Sequence, residues 1–401
     1  MRADGDGRRE PLAGEQWLIW FSAVSWDAIR GTDWHLAMAM TEHARILWVD
    51  PPVSPLTPSV RRARRAAGAR SVGPLTPRLA EAAPRITRLT PVALPGLTRP
   101  GVRLTTAALV RAQVRWAVRR IGFRPFAAVA THLEDVLGHW GHGVVNVLHA
   151  TDDYVAGAEL MRLSASRLRR QERQAVRRAD VVSVVSPGLA EHWSGLGASP
   201  VVIPNGCLPA IEWSGDIPSP ARELGHPVVG LVGQLSERID MGVLEAIVDG
   251  GFALLLVGPH DARWEPGRFA ALTARLGVHY AGRVPAEAVP SYLAAIDVGV
   301  TPYQDSAFNR ASFPLKTLEY LGSGLPVVSS DLPSARRLRD NGGATDRMLA
   351  IAASQDEFVE AIRRLVKDRS DGDAAACRAL AGQHSWPRRA DALAAAIGLT
   401  G

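Results

Sequence analysis

Short apolar, β-rich runs alternate with amphipathic stretches through most of the chain. The runs Trp17–Phe21, Arg45–Val49, Arg85–Leu89, Phe126–Ala130, Val144–Leu148, Val181–Val185 and Val201–Ile203 read as strands. Several are apolar throughout, as strands covered on both faces by helices must be, and the stretches between them supply the crossovers of a parallel sheet. The pattern then restarts, with strands expected at Val228–Val232, Phe252–Val257, Val278–Ala281, Val298–Thr301 and Pro326–Ser329. Helices are expected between them near Met241–Asp249, Pro290–Ile296, Phe313–Leu321 and Phe358–Val366.

Between the two series, Ile203-Pro204-Asn205-Gly206 leads into a Pro-, Gly- and Ser-rich stretch up to Pro227, a linker by composition. The expected organisation is a disordered tail over 1–15, an N-terminal Rossmann-like domain over 16–205 and a linker over 206–226. A C-terminal Rossmann-like domain then covers 227–384, and a final helix over 385–401 leaves open whether it crosses back to the first domain. Pro51–Pro84, with its seven prolines and the cluster Arg61-Arg62-Ala63-Arg64-Arg65, breaks the alternation and reads as a long loop. The fold class is α/β, two doubly wound domains facing each other across a cleft, where ligands bind beyond the carboxyl ends of the strands.

Composition removes several classes. Two cysteines, Cys207 and Cys377, exclude a disulfide scaffold and show no paired metal-ligand spacing, so a reducing cytoplasm is the expected compartment. No run approaches the roughly 20 apolar residues that span a bilayer. The net charge is +6, yet Lys316 and Lys367 are the only lysines among 46 basic residues, and so strong an arginine bias weakens any argument from charge alone. A helix near Leu104–Ile121 aligns Arg111, Arg115 and Arg119 on one face. A solvated face is the plain reading, peripheral membrane contact the alternative. Nucleic-acid binding is not expected, because the basic stripes lack interleaved aromatics.

Candidate chemistry concentrates in Phe308-Asn309-Arg310-Ala311-Ser312-Phe313-Pro314-Leu315-Lys316-Thr317-Leu318-Glu319. Ser312 is a good N-cap and Pro314 suits a first turn, which predicts a helix starting there and closing at Gly322-Ser323-Gly324. Free amides at Ser312–Leu315 would form an anion site, with Lys316 adding a full charge and Glu319 placed to accept from a ribose diol. The plain alternative is a surface Lys–Glu pair. A second anion site is suggested where the strand Val228–Val232 runs into Gly233, with Ser236 expected to cap a helix carrying Arg238.

Past other strand ends, Asp152 and Asp153 are candidate bases, helix capping being the alternative, and His132 is a candidate substrate contact. Trp26 and Asp27, with Trp34 in Gly31-Thr32-Asp33-Trp34-His35, would line the acceptor side. No carboxylate pair lies where it would hold a metal at the donor. Asp371-Gly372-Asp373 has the spacing but reads as a cap.

Pro314-Leu315-Lys316-Thr317-Leu318-Glu319-Tyr320 followed by Gly324-Leu325-Pro326-Val327-Val328 resembles the sugar-nucleotide-dependent glycosyltransferases of the GT-B fold, glycosyltransferase family 4-like, group 1. Ala179–Ser186, Ile203–Gly206, Gly282-Arg283-Val284-Pro285 and Ser385-Trp386 agree in order. The resemblance implies a hexosyl-type transfer from a nucleoside diphosphate sugar to a small-molecule, glycan or lipid-linked acceptor, without cofactor or metal. It puts Glu319 on the donor ribose, Lys316 and Arg238 on the diphosphate, and Gly282-Arg283-Val284 on the base, with Gly233, Asn309, Ser312, Phe313, Pro314 and Leu315 around them. Two positions depart from the family pattern: Ala311 stands where the first of two glutamates is common, and Gln234 where a basic residue often follows the glycine. The alternatives are an epimerase or hydrolase of the same fold and a non-catalytic nucleotide-binding partner protein.

Overall fold

The computed structural model describes residues 15–28, 30–54, 76–95, 100–207, 215–313, 315–370 and 372–399. Residues 1–14 of the expected tail, Arg61–Arg65, Pro314 and Asp371 therefore lie outside the described residues.

Two sheets organise the chain. The first runs in the order β3-β4-β2-β1-β5-β6-β7-β8, built from β1 (Trp17–Phe21), β2 (Arg45–Val49), β3 (Arg78–Ala83), β4 (Ile86–Thr90), β5 (Ala127–Ala130), β6 (Val145–Ala150), β7 (Val181–Val184) and β8 (Val201–Val202). All pairings are parallel except β3 against β4. The second sheet, order β11-β10-β9-β12-β13-β14, is wholly parallel and comprises β9 (Val228–Val232), β10 (Ala253–Val257), β11 (Val278–Gly282), β12 (Val298–Thr301), β13 (Val327–Ser330) and β14 (Leu349–Ala352). Both are doubly wound, reversing direction beside their first strand, and the crevice at that reversal is where such sheets bind ligands.

Two strands depart from the expected set. Arg78–Ala83, expected as part of a loop, is an exposed antiparallel edge whose burial does not alternate, so no period marked it. Leu349–Ala352 follows a polar stretch and is too short to stand out, yet it is largely buried on β13.

Each sheet is covered on both faces, and four buried clusters fill the layers. The final helix, Trp386–Ala396, packs Trp386, Ala390 and Leu393 into the cluster that holds Leu18, Trp20 and Trp48 of the first sheet. Gly206 makes that docking possible, since a methyl group there would stand 2.9 Å from the Trp386 Cα. The arginine face of helix Pro100–Ile121 is mostly engaged: Arg111 pairs with Asp135 at 2.8 Å, and Arg115 donates to the His139 carbonyl while lying over Trp140. Among the described residues no helix is long and apolar enough to cross a membrane.

Candidate functional site

The two reversal points face each other across a cavity of about 330 Å³. Its wall takes Lys316, Arg238, Tyr303 and Asn309 from the second half, and Asp33, Thr151, Asp152 and Asn205 from the first.

On the second-half side, β9 is buried along its length and ends at Gly233, whose φ of +138° only glycine adopts readily. The Lys316 side chain lies directly on this glycine. A Cβ at position 233 would stand 1.9 Å from Lys316 Cε and 2.1 Å from Nζ. Gly258 repeats the device one strand over, where a Cβ would stand 1.9 Å from the Gly233 carbonyl oxygen. Helix Leu315–Gly322, which carries Lys316, is bolted to the strand end by Tyr320: its buried hydroxyl accepts from the Val232 amide at 2.7 Å. The Tyr320 ring in turn sits where a Gly299 side chain would be, 2.5 Å from that Cβ position.

Arg238 is held from several directions. Its Nε donates to Asn309 Oδ1 at 2.9 Å and Nη2 to Ser312 Oγ at 3.3 Å, while the guanidinium stacks over Phe308 at 4.8 Å and Tyr303 at 5.1 Å. Asn309, 2% exposed, completes the clamp by donating to the Arg238 and Gln304 carbonyls. A planar cation fixed in this way presents its remaining N–H groups to the cavity without losing rotamer freedom on binding an anion.

Facing these cations are two carboxyl groups. Asp33, 7% exposed in the first turn of helix Thr32–Met40, accepts at Oδ2 from Thr131 Oγ1 at 2.6 Å, Ser22 Oγ at 2.8 Å and the Ala23 amide at 3.1 Å. Burial nonetheless pushes its carboxyl up, and the neighbouring charge of Asp152 adds to the rise. Asp152 accepts from Thr151 Oγ1 at 2.9 Å. Its carboxyl is also raised by burial, against the lowering pull of Arg238. A carboxyl raised by burial at a cleft holds a proton more readily than a solvated one.

The halves also touch directly. The Ser186 hydroxyl donates to the Ala311 carbonyl, and the Phe308 ring occupies the space a Gly157 side chain would take. Phe313 packs against clusters of both halves, and Leu315 against the first.

Several expected positions fall elsewhere. Ser312 does not start a helix: it closes the short helix Ala307–Ala311, and its amide bonds to the Phe308 carbonyl at 3.1 Å. The Leu315 amide is likewise taken by the Phe313 carbonyl, so these two amides are not free for an anion. Asp240, rather than Ser236, caps the helix after β9, and Arg238 stands in the turn before it. Asp153 caps the turn that follows by accepting from the Ala156 amide at 2.8 Å, and it does not line the cavity. His132 Nδ1 accepts from the Glu134 amide at 3.2 Å and is also outside the wall. Trp26, Asp27 and Trp34 form a separate cluster. Trp26 packs on Trp34 and Trp48, and exposed Asp27 pairs with Arg88 at 2.8 Å. Only Gly31, Thr32 and Asp33 of that neighbourhood reach the cavity.

Glu319 is exposed beyond the cavity wall on the helix of Lys316. Surrounding protein pushes its carboxyl up and the Lys316 charge pulls it back. Gly282, with φ +68°, ends β11, and Arg283 and Val284 follow it, all three outside the cavity.

Residues 226–368 match the family model described as glycosyl transferases group 1. The chain is 34% identical over 114 residues to TuaH of Bacillus subtilis strain 168, a protein named for glycosyl transfer in teichuronic acid biosynthesis; the match spans 28% of each chain. Among solved structures it is similar to Anabaena HepE in complex with UDP and glucose, with a TM-score of 0.65, 17% identity and coverage of 96% of this chain and 100% of that one. It is also similar to the Escherichia coli trehalose-6-phosphate protein bound with UDP-2-fluoro glucose, with a TM-score of 0.69, 12% identity and the same coverage.

Proposed function

We propose that the chain transfers a sugar from a nucleoside diphosphate sugar to a hydroxyl of a small-molecule, glycan or lipid-linked acceptor, a reading supported by the match of residues 226–368 to the glycosyl transferases group 1 model and by the GT-B fold. UDP is the nucleotide we favour, because the solved structures of this fold named above hold UDP or a UDP-sugar. One observation carries the reading: Lys316 lies directly on Gly233, where any side chain would displace it, and Arg238 is clamped by Asn309 and Ser312 on the same cavity wall.

Glycosyl transfer leaves negative charge on the departing diphosphate, and cations fixed before the reaction stabilise that charge without reorganising. Arg238 suits two phosphoryl oxygens at once and Lys316 a single point contact. In this scheme those two side chains supply the countercharge, with no cofactor. Asp152, set across the cavity and raised by burial, accepts the proton of the acceptor hydroxyl, and Asp33 holds the opposing wall through Ser22 and Thr131. Glu319 and Gly282-Arg283-Val284 contact ribose and base in this reading.

A thermal-shift screen of UDP, GDP, TDP and their sugars, followed by product analysis with candidate acceptors, tests it. The expected result is stabilisation by one nucleotide class and sugar transfer from its diphosphate sugar. Absence of stabilisation by every nucleoside diphosphate would remove the assignment. Release of free sugar regardless of acceptor would favour a hydrolase instead.

A further inference from the structure

Away from the cavity, Glu172 of helix Ala165–Arg178 is 1% exposed. A buried carboxylate needs a charge or hydrogen-bond partner. Its Oε1 has none by hydrogen-bond geometry, nor does the buried Nε2 of His192 on helix Pro187–Gly195, although the two atoms are 3.2 Å apart. The Asp153 carboxylate completes a set in which all three ligand atoms lie within 4.8 Å of one another.

The 3.2 Å between His192 Nε2 and Glu172 Oε1 is also a separation that two ligands of one ion keep. Two ligand atoms each about 2.1 Å from a divalent ion, at angles between octahedral and tetrahedral, stand roughly 3.0–3.4 Å apart. We propose that His192 Nε2, Glu172 Oε1 and Asp153 bind a divalent first-row metal ion, with zinc the ion that a three-ligand nitrogen and oxygen set best suits. The two carboxylates balance the charge of the ion, and water completes its coordination.

The position gives the ion a structural reach. It joins two helices of the first half and the turn that begins at Asp153, next in the chain to Asp152. Helix Pro187–Gly195 is capped by Ser186, whose hydroxyl donates to the Ala311 carbonyl of the other half. A metal-bound imidazole nitrogen carries no proton, so the test belongs at mildly alkaline pH.

Tag-free, metal-stripped full-length chain is titrated with zinc chloride by calorimetry at pH 8, and with cobalt chloride followed by visible absorption. The expected result is saturation at one equivalent, a rise in melting temperature with zinc, and affinity weakened at least about tenfold in His192→Ala and in Glu172→Gln. Asp153→Asn, altered in a turn and with circular dichroism as the folding check, covers the case in which the helix variants fail to fold. No saturable binding by the native chain, or equal binding by folded His192→Ala or Asp153→Asn, would overturn the proposal and leave His192 and Glu172 as an ion pair alone.

Discussion

Gly233→Ala is the sharpest probe of the cationic wall. Its added methyl meets only the far end of Lys316, 1.9 Å from Cε and 2.1 Å from Nζ, so the lysine must withdraw from its seat. The backbone φ of +138° adds strain of about 1–3 kcal/mol, which appears as lost stability. Withdrawing the ammonium removes a charge-assisted contact to phosphate worth about 1.5–3 kcal/mol, or roughly 10- to 150-fold in affinity. Calorimetry of UDP binding to native, Gly233→Ala, Lys316→Ala and the double variant separates the effects. The two single variants should lose similar affinity, and the double variant should lose little more than Lys316→Ala, because the glycine acts through the lysine. Unchanged affinity in Gly233→Ala, or fully additive losses, would refute the reasoning.

Three further outcomes are expected. Asp152→Asn should lower kcat by about 10²- to 10⁴-fold with UDP affinity nearly intact, and native turnover in that variant would remove Asp152 from proton transfer. His149 is buried with its Nδ1 against Ser183 Oγ at 2.8 Å, and burial holds its pKa down at about 4. Since the folded pKa lies below the unfolded value, its contribution is intact above about pH 6.5 and is lost as pH falls towards 4, about 3 kcal/mol in all. Denaturant titrations of native and His149→Gln chains between pH 7 and 4 should therefore show the flatter profile in the variant. Leu393→Ala, in the last helix but within the first-half core, should cost about 2–5 kcal/mol and lower the melting temperature.

The sheets were largely legible because fully buried parallel strands such as Val228–Val232 and Ala253–Val257 leave uninterrupted apolar runs. Arg78–Ala83 was not, because an exposed edge carries no such run. Lys316, Arg238 and Asp152 stood out as charged residues beside strand ends, and all three line the cavity. The local geometry was harder. Ser312 carries a side chain that suits either end of a helix, and its C-cap role depends on the preceding helix, whose only turn signal is Ser306. Asp33 was hidden for a different reason. Its role depends on Ser22 and Thr131, the latter 98 positions away in the chain. Asp152 and Asp153 are equivalent as neighbours in sequence, and only the turn that Asp153 caps separates them.

The central claim is that Arg238 and Lys316 make a diphosphate site, and comparing UDP with uridine by calorimetry on native and Arg238→Ala, Lys316→Ala chains tests it most directly. UDP should bind at least about 100-fold more tightly than uridine to the native chain, and the doubly substituted chain should lose most of that difference. Equal binding of UDP and uridine by the native chain, or a difference that survives both substitutions, would contradict the account.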